Sequence, residues 1–122
     1  MNWSYIAGFT DGEGYILNKV YTSRECSKNN GKYYKISRLR RRIVLTQSEK
    51  QNKVLYNIQD FLNEQLKTDI KIYDRKDGSF QLMIIREKDV YTVAKKIIKK
   101  SIVKKEALRS LIKSYENPEL LK

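Results

Sequence analysis

Ile6-Ala7-Gly8-Phe9-Thr10-Asp11-Gly12-Glu13-Gly14 is the stretch on which the reading of this chain turns. Trp3, Ile6, Ala7 and Phe9 recur at helical spacing and predict a short helix from Asn2 to about Thr10. Two glycines in three positions then punctuate the chain, leaving Glu13 just past the helix end between Gly12 and Gly14. Ala7 and Gly8 carry little bulk, so a second backbone can approach that helix closely.

The surroundings of these two acids are unusual. Residues 1–17 hold only Asp11 and Glu13 as charged groups, whereas residues 18–42 hold nine basic residues against Glu25. Residues 43–87 balance at seven of each sign, and residues 88–122 carry ten basic against four acidic. The 122-residue chain as a whole stands at +12, which points to a polyanionic partner. An isolated carboxylate beside a phosphate-binding surface suits Mg²⁺, which takes one or two carboxylates and completes its shell with water and phosphate oxygens.

Other chemistries are excluded by what is missing. There is no histidine, so Ser-His-Asp and Cys-His nucleophiles and histidine-ligated zinc are ruled out. Cys26 is the single cysteine, which allows no intrachain disulfide and no zinc cluster. No uncharged apolar stretch approaches the roughly 20 residues needed to cross a bilayer, and the start Met1-Asn2-Trp3-Ser4 has no signal-peptide character, so no membrane partner and an intracellular home are expected. Lys, Ile, Asn and Tyr, all with AT-rich codons, make up 48 residues, which hints at an organelle or phage genome.

Beyond Gly14 a strand is expected from Tyr15 to about Thr22, a loop from Ser23 to Lys32 turning at Asn29-Asn30-Gly31, and a second strand from Tyr33 to Thr46. In that strand Arg38, Arg40 and Arg42 share one parity and Leu39, Ile43 and Leu45 the other; Arg41 is the exception. One face is therefore cationic and the other mostly apolar. Lys19 and Tyr21 share the parity of Glu13. Ser48 with Gln51 reads as a capping box ahead of a helix whose stripe is Val54, Leu55, Ile58, Phe61 and Leu62. A second hairpin turns at Asp77-Gly78, with Lys71, Tyr73 and Arg75 on one face of its first strand and Gln81 and Met83 on the polar side of its return. Two short helices follow, marked by Val90, Ala94, Ile97 and Ile98 and by Leu108, Leu111, Ile112 and Tyr115; Ser101 is a candidate N-cap and Pro118 a stop.

The order αββαββαα gives an α+β fold: an antiparallel four-stranded saddle sheet with helices on one face, formed by residues 1–122 as one domain. Its other face, rich in Arg, Lys, Tyr and Gln, is a plausible nucleic-acid platform, because a two-stranded ribbon fits the DNA major groove. Strands of about ten residues span ~33 Å, or roughly ten base pairs.

The quoted stretch, the αββαββα order and the strand end Leu45-Thr46-Gln47 closely resemble the LAGLIDADG homing endonucleases, in particular their single-motif branch. The resemblance implies a site-specific double-stranded DNA endonuclease acting on a long pseudo-palindromic target with a divalent metal, Mg²⁺ or, in substitution, Mn²⁺. Glu13 would ligate the metal, with the Gly12 carbonyl adding an oxygen; Gln47 would order water and Lys104, or Lys105, would support the site. Asp11, the other acid, is implied to be structural. The family's frequent basic residue past this point has Gln51 in its place, with Lys50 and Lys53 nearby. DNA contacts are expected from Lys19, Tyr21, Arg38, Arg40, Arg42, Lys71, Tyr73, Arg75, Gln81 and Met83. One motif per chain implies a homodimer through Ile6, Ala7 and Gly8. The family also contains maturases, so a protein binding intron RNA to assist splicing is the alternative, and a small basic ribosomal or nucleoid protein is permitted by composition alone.

Overall fold

A computed structural model describes residues 1–116 of the protein. Helix α1 (Trp3–Glu13) is capped by the Asn2 side chain, which accepts from the Tyr5 N–H at 2.8 Å. It leads without a linker into strand β1 (Gly14–Cys26), which pairs with β2 (Tyr33–Ser48) along its whole length. A 3-10 turn (Glu49–Gln51) precedes α2 (Lys53–Leu66). Strands β3 (Lys71–Asp74) and β4 (Ser79–Ile84) and helices α3 (Glu87–Ile97) and α4 (Lys105–Glu116) follow. The four strands form one antiparallel sheet, as expected, and their order is β1-β2-β4-β3.

The period-two pattern sorts the sheet into two faces. Ile43, Leu45, Leu82 and Ile84 are buried in one cluster with Ile6 and Ala7 of α1, Leu55, Ile58 and Leu62 of α2, Val90, Val93, Ala94 and Ile97 of α3, and Leu108 and Leu111 of α4. The stripe expected of α2 is the one observed, with Val54 and Phe61 at its margins. A T-shaped contact between Trp3 and Phe61, at 5.3 Å between ring centres, ties α1 to α2. Among the described residues no helix is long and apolar enough to cross a membrane.

Several local expectations give way to longer-range contacts. Helix α1 runs a turn beyond Thr10, so Asp11, Gly12 and Glu13 are helical. Gly8 and Gly12 are tolerated within it because the opposite side, Ile6, Ala7 and Thr10, is fully buried, and the Thr10 hydroxyl donates to the Ile6 carbonyl at 2.7 Å. Gly14 is needed for a steric reason: a Cβ there would lie 2.6 Å from the Thr10 carbonyl oxygen. The capping box does not form. Ser48 makes no side-chain cap, and the Ser48 N–H donates instead to the Gln47 side chain at 2.9 Å. The first hairpin is longer than expected, with a turn of only residues 27–32 closed by the Ser27 N–H donating to the Lys32 carbonyl. Arg75 lies one residue past β3, in the turn, 3.9 Å from Asp77. Helix α4 starts at Lys105 rather than near Ser101, and Pro118 lies outside the described residues.

Arg41, the exception to the alternation, has a clear place. Its parity turns it under the sheet, where its guanidinium stacks 3.7 Å from the Tyr115 ring centre, donates to Glu87 at 2.9 Å and to the Ser114 hydroxyl at 3.3 Å. Only 11 % of its side chain is exposed. It therefore pins β2 to α3 and α4. Burial pushes the Tyr115 phenol above its ordinary pKa, against the opposing pull of the Arg41 charge.

Candidate active site and nucleic-acid interface

The end of α1 is where the candidate site is assembled. Glu13 is the last helical residue and is exposed. Among the described residues its carboxylate has no hydrogen bond and no ion pair. The Gly12 carbonyl belongs to the final turn, whose carbonyls have no N–H ahead of them in the helix, and the negative end of the helix dipole lies there. A carboxylate, a free carbonyl and that dipole together favour a cation. Among the described residues no group of three or more His, Cys, Asp or Glu comes together. The donor set therefore fits a divalent, oxygen-seeking cation that takes its remaining ligands from water and phosphate, and does not fit a closed protein cage.

Asp11, two residues earlier, does different work. Its carboxylate accepts from the Ser101 hydroxyl, from the Ile102 N–H at 2.8 Å and from the Lys104 N–H at 3.0 Å. Burial alone would raise its pKa, but these donors outweigh burial and hold the carboxyl below its ordinary value. Asp11 thus ties the motif helix to the segment entering α4, and it fixes the backbone of half-buried Lys104 beside the helix end. The register Gly14–Leu45 places Gln47 two residues along β2 from the start of β1. Gln47 shares the parity of the helix-packed side, and its carbonyl oxygen is taken by the Ser48 N–H, which leaves its amide NH₂ free to donate. Lys104 is thus tied through its backbone to Asp11 near the end of α1, and Gln47 lies two residues along β2 from the partner of Gly14.

From that end the open face of the sheet runs outward. Lys19 pairs across from Arg40, Tyr21 from Arg38 and Leu17 from Arg42, so the expected cationic row is a single continuous face. Lys71, Tyr73, Gln81 and Met83 continue it on β3 and β4, since Tyr73 pairs with Gln81 and Lys71 with Met83. Three residues not singled out in the sequence share this face. Tyr15 is 58 % exposed next to the site, Thr46 accepts from the Gln81 amide at 3.3 Å, and Glu25 pairs with Arg38 at 3.3 Å. The parity of Tyr15 and Glu25 with Lys19, and of Thr46 with Arg38, Arg40 and Arg42, was the signal that would have found them. Val44 is buried on this face, between Tyr15 and Met83, so the row is apolar at its centre and cationic toward the tip.

The residues expected at a helix-to-helix interface divide. Ile6 and Ala7 are fully buried in the core of their own chain and are not available to a partner. Gly8 is exposed, and a Cβ built on it or on Gly12 meets nothing within 4 Å. The open side of α1 is thus the Gly8–Gly12 side, one helical turn apart.

A family model for LAGLIDADG endonuclease matches residues 6–117. The chain belongs to the LAGLIDADG endonuclease family. Its length fits the single-motif branch. No curated protein sequence matches the chain. Among solved structures, the homing endonuclease I-CvuI in complex with the I-CreI target in the presence of magnesium superposes with a TM-score of 0.73 at 19 % identity, over 98 % of this chain and 72 % of that one. I-TnaI superposes with a TM-score of 0.70 at 20 % identity, over 100 % of this chain and 78 % of that one. The DNA-bound I-AabMI, at 22 % identity and a TM-score of 0.69, is matched over 100 % of this chain but only 39 % of its own. At these identities the superpositions establish the LAGLIDADG fold, including the four-stranded sheet with helices behind it.

Proposed function

We propose that this LAGLIDADG chain is a site-specific double-stranded DNA endonuclease, that residues 1–122 form one domain, and that two copies act as a homodimer with a divalent metal, Mg²⁺ foremost and Mn²⁺ as a substitute. The observation that carries this reading is the exposed Glu13 carboxylate, unpaired among the described residues, at the end of a helix that leads into a sheet whose open face is cationic toward its tip.

The roles follow from chemistry. A bound divalent metal would supply Lewis-acid stabilisation at the scissile phosphate and lower the pKa of water beside it. Glu13 and the Gly12 carbonyl hold that ion. The free amide NH₂ of Gln47 donates to water or to a phosphate oxygen. The Lys104 ammonium, with its backbone braced by Asp11, balances charge building on the phosphate. Lys19, Arg38, Arg40 and Arg42 bind the duplex, with Lys71, Tyr73, Arg75, Gln81 and Met83 flanking them. Strand β1 is 13 residues long, ~43 Å, enough for about twelve base pairs. The Gly8–Gly12 side of α1 supports a close helix pair across a two-fold axis, bringing one Glu13 to each strand of the target. That I-AabMI and the DNA-bound I-GzeII are matched over 39 % and 38 % of their lengths supports the reading of this chain as one half of such an assembly.

Selection from a randomised duplex library with Mg²⁺, with the Glu13→Gln protein in parallel, tests this. Cleaved duplexes sharing a long two-fold site, from the native protein only, are expected. Duplexes bound but uncut by both proteins would overturn the nuclease, and binding confined to structured RNA would leave the maturase.

A further inference from the structure

Three arginines share the open face of the long hairpin, and their surroundings differ. Arg38 lies 3.3 Å from the Glu25 carboxylate, which offsets part of its charge. Arg42 is half-buried near the sheet body. Arg40 stacks over Tyr21, with the guanidinium carbon 5.0 Å from the ring centre, and Lys19 reaches the same ring at 5.5 Å. The register makes this possible: Lys19 is directly opposite Arg40 and Tyr21 opposite Arg38, so Tyr21 is the diagonal neighbour of Arg40 on one face.

The stacking has a consequence for recognition. An arginine on an exposed ribbon samples many rotamers and must give them up on binding. Held over a ring by a cation–π contact, its fork samples fewer rotamers beforehand, and the ordering cost of binding falls. A pre-ordered guanidinium presents two parallel N–H donors, which match the O6 and N7 acceptors of guanine in the major groove. Lysine is a point charge without that directionality, so Lys19 is suited to phosphate. Arg38 already shares its donors with Glu25.

We propose that Tyr21 is a positioning residue that holds Arg40 as the base reader of this interface, and that Arg40 reads a guanine in each half of the target. Lys19 and Arg40 lie five residues along β1 from Gly14, ~17 Å, which places that guanine about five base pairs outward from the phosphate facing Glu13. The proposal rests on the DNA reading above and adds to it the base, its position and the residue that orients the reader.

The test uses binding selection without divalent metal, so that cleavage plays no part, on the native protein and the Tyr21→Phe, Tyr21→Leu and Arg40→Lys variants. Because Tyr21 and Arg40 are on an exposed ribbon, the variants are expected to fold, and the Arg40 side-chain N–H resonance of the free proteins reports the stacking directly. The expected result is a guanine at that position that Tyr21→Phe keeps. Tyr21→Leu should weaken the preference about two- to fivefold, and Arg40→Lys about tenfold or more. Other positions should stay unchanged, and the Arg40 resonance should move downfield in Tyr21→Leu as the ring shielding is lost. A different base at that position, an unaltered preference in Tyr21→Leu, or an Arg40 resonance indifferent to the ring would overturn the proposal. If the native protein selects no duplex at all, the DNA reading itself fails and takes this proposal with it; selection of duplex with no guanine signature fails the proposal alone.

Discussion

The two ends of the long hairpin are built from the same strands and obey opposite rules. Near α1, residues 43–48 of β2 lie between β1 and β4 with helices behind, and Ile43 and Leu45 are buried there. Beyond Lys19 and Arg40 the same two strands continue as a ribbon, where Val20, Tyr21, Tyr33, Tyr34 and Leu39 are all exposed. Arg40 and Arg41 mark the change. They are adjacent in sequence, and one turns to solvent on the open face while the other is clamped between Tyr115 and Glu87. Charge in the body holds the fold, whereas charge on the ribbon is left free for a ligand.

Arg41→Ala should break this contrast most severely. It removes the stack on Tyr115, the bonds to Glu87 and Ser114 and the packing of a side chain only 11 % exposed, and should cost about 2 kcal/mol of stability in chemical denaturation. The salt dependence of DNA binding should be unchanged. Arg40→Ala should do the reverse, altering stability by less than about 0.5 kcal/mol while weakening DNA binding and relaxing the base preference at one position of each half-site by about tenfold or more. Equal stability losses in the two variants would erase the distinction between body and ribbon.

Asp11→Ala should cost roughly 1–3 kcal/mol, because the Ile102 and Lys104 N–H groups lose their acceptor. The pH dependence follows from the lowered pKa. Stability contributed by a carboxyl depressed in the folded state is present above its unfolded value, near 4, and is lost as pH falls through the folded value. Acid unfolding of Asp11→Ala should therefore be shallower than that of the native protein below pH about 4, and parallel curves would remove Asp11 from the acid response.

Gly8→Ala gives the smallest and most discriminating effect. A Cβ there meets nothing within the chain, so an isolated chain should gain up to about 1 kcal/mol of helix stability. In a tight helix pair the same methyl should weaken association, seen as a higher dissociation constant in sedimentation. A variant that is more stable and no less dimeric would move the partner contact off this side of α1.

Much of this was legible in the sequence. Alternation at Arg38, Arg40 and Arg42 gave the open face, and the stripe from Leu55 to Leu62 gave the helix behind it, because both signals are local periodicities. What escaped was decided by partners distant along the chain. Gly12 reads as a breaker, yet α1 continues through it because Thr10 is buried beneath. Ser101 reads as a cap, yet its hydroxyl goes to Asp11, 90 residues away. Ile6 and Ala7 read as an interface because of the small residue beside them, whereas their place around the helix turns them into the core. In the candidate site the acids were visible as lone charges ahead of a basic stretch. Their division of labour, Asp11 bonded and Glu13 free, depends on the 101–104 segment and had no local signal.

The most direct measurement of the central claim is the cleavage rate of the selected duplex by native and Glu13→Gln proteins, with Mg²⁺ and with chelator, alongside binding of the same duplex. The account predicts that Glu13→Gln lowers cleavage by on the order of a thousandfold, as the chelator does, with binding nearly intact. Undiminished cleavage by Glu13→Gln, or cleavage indifferent to the chelator, would contradict it.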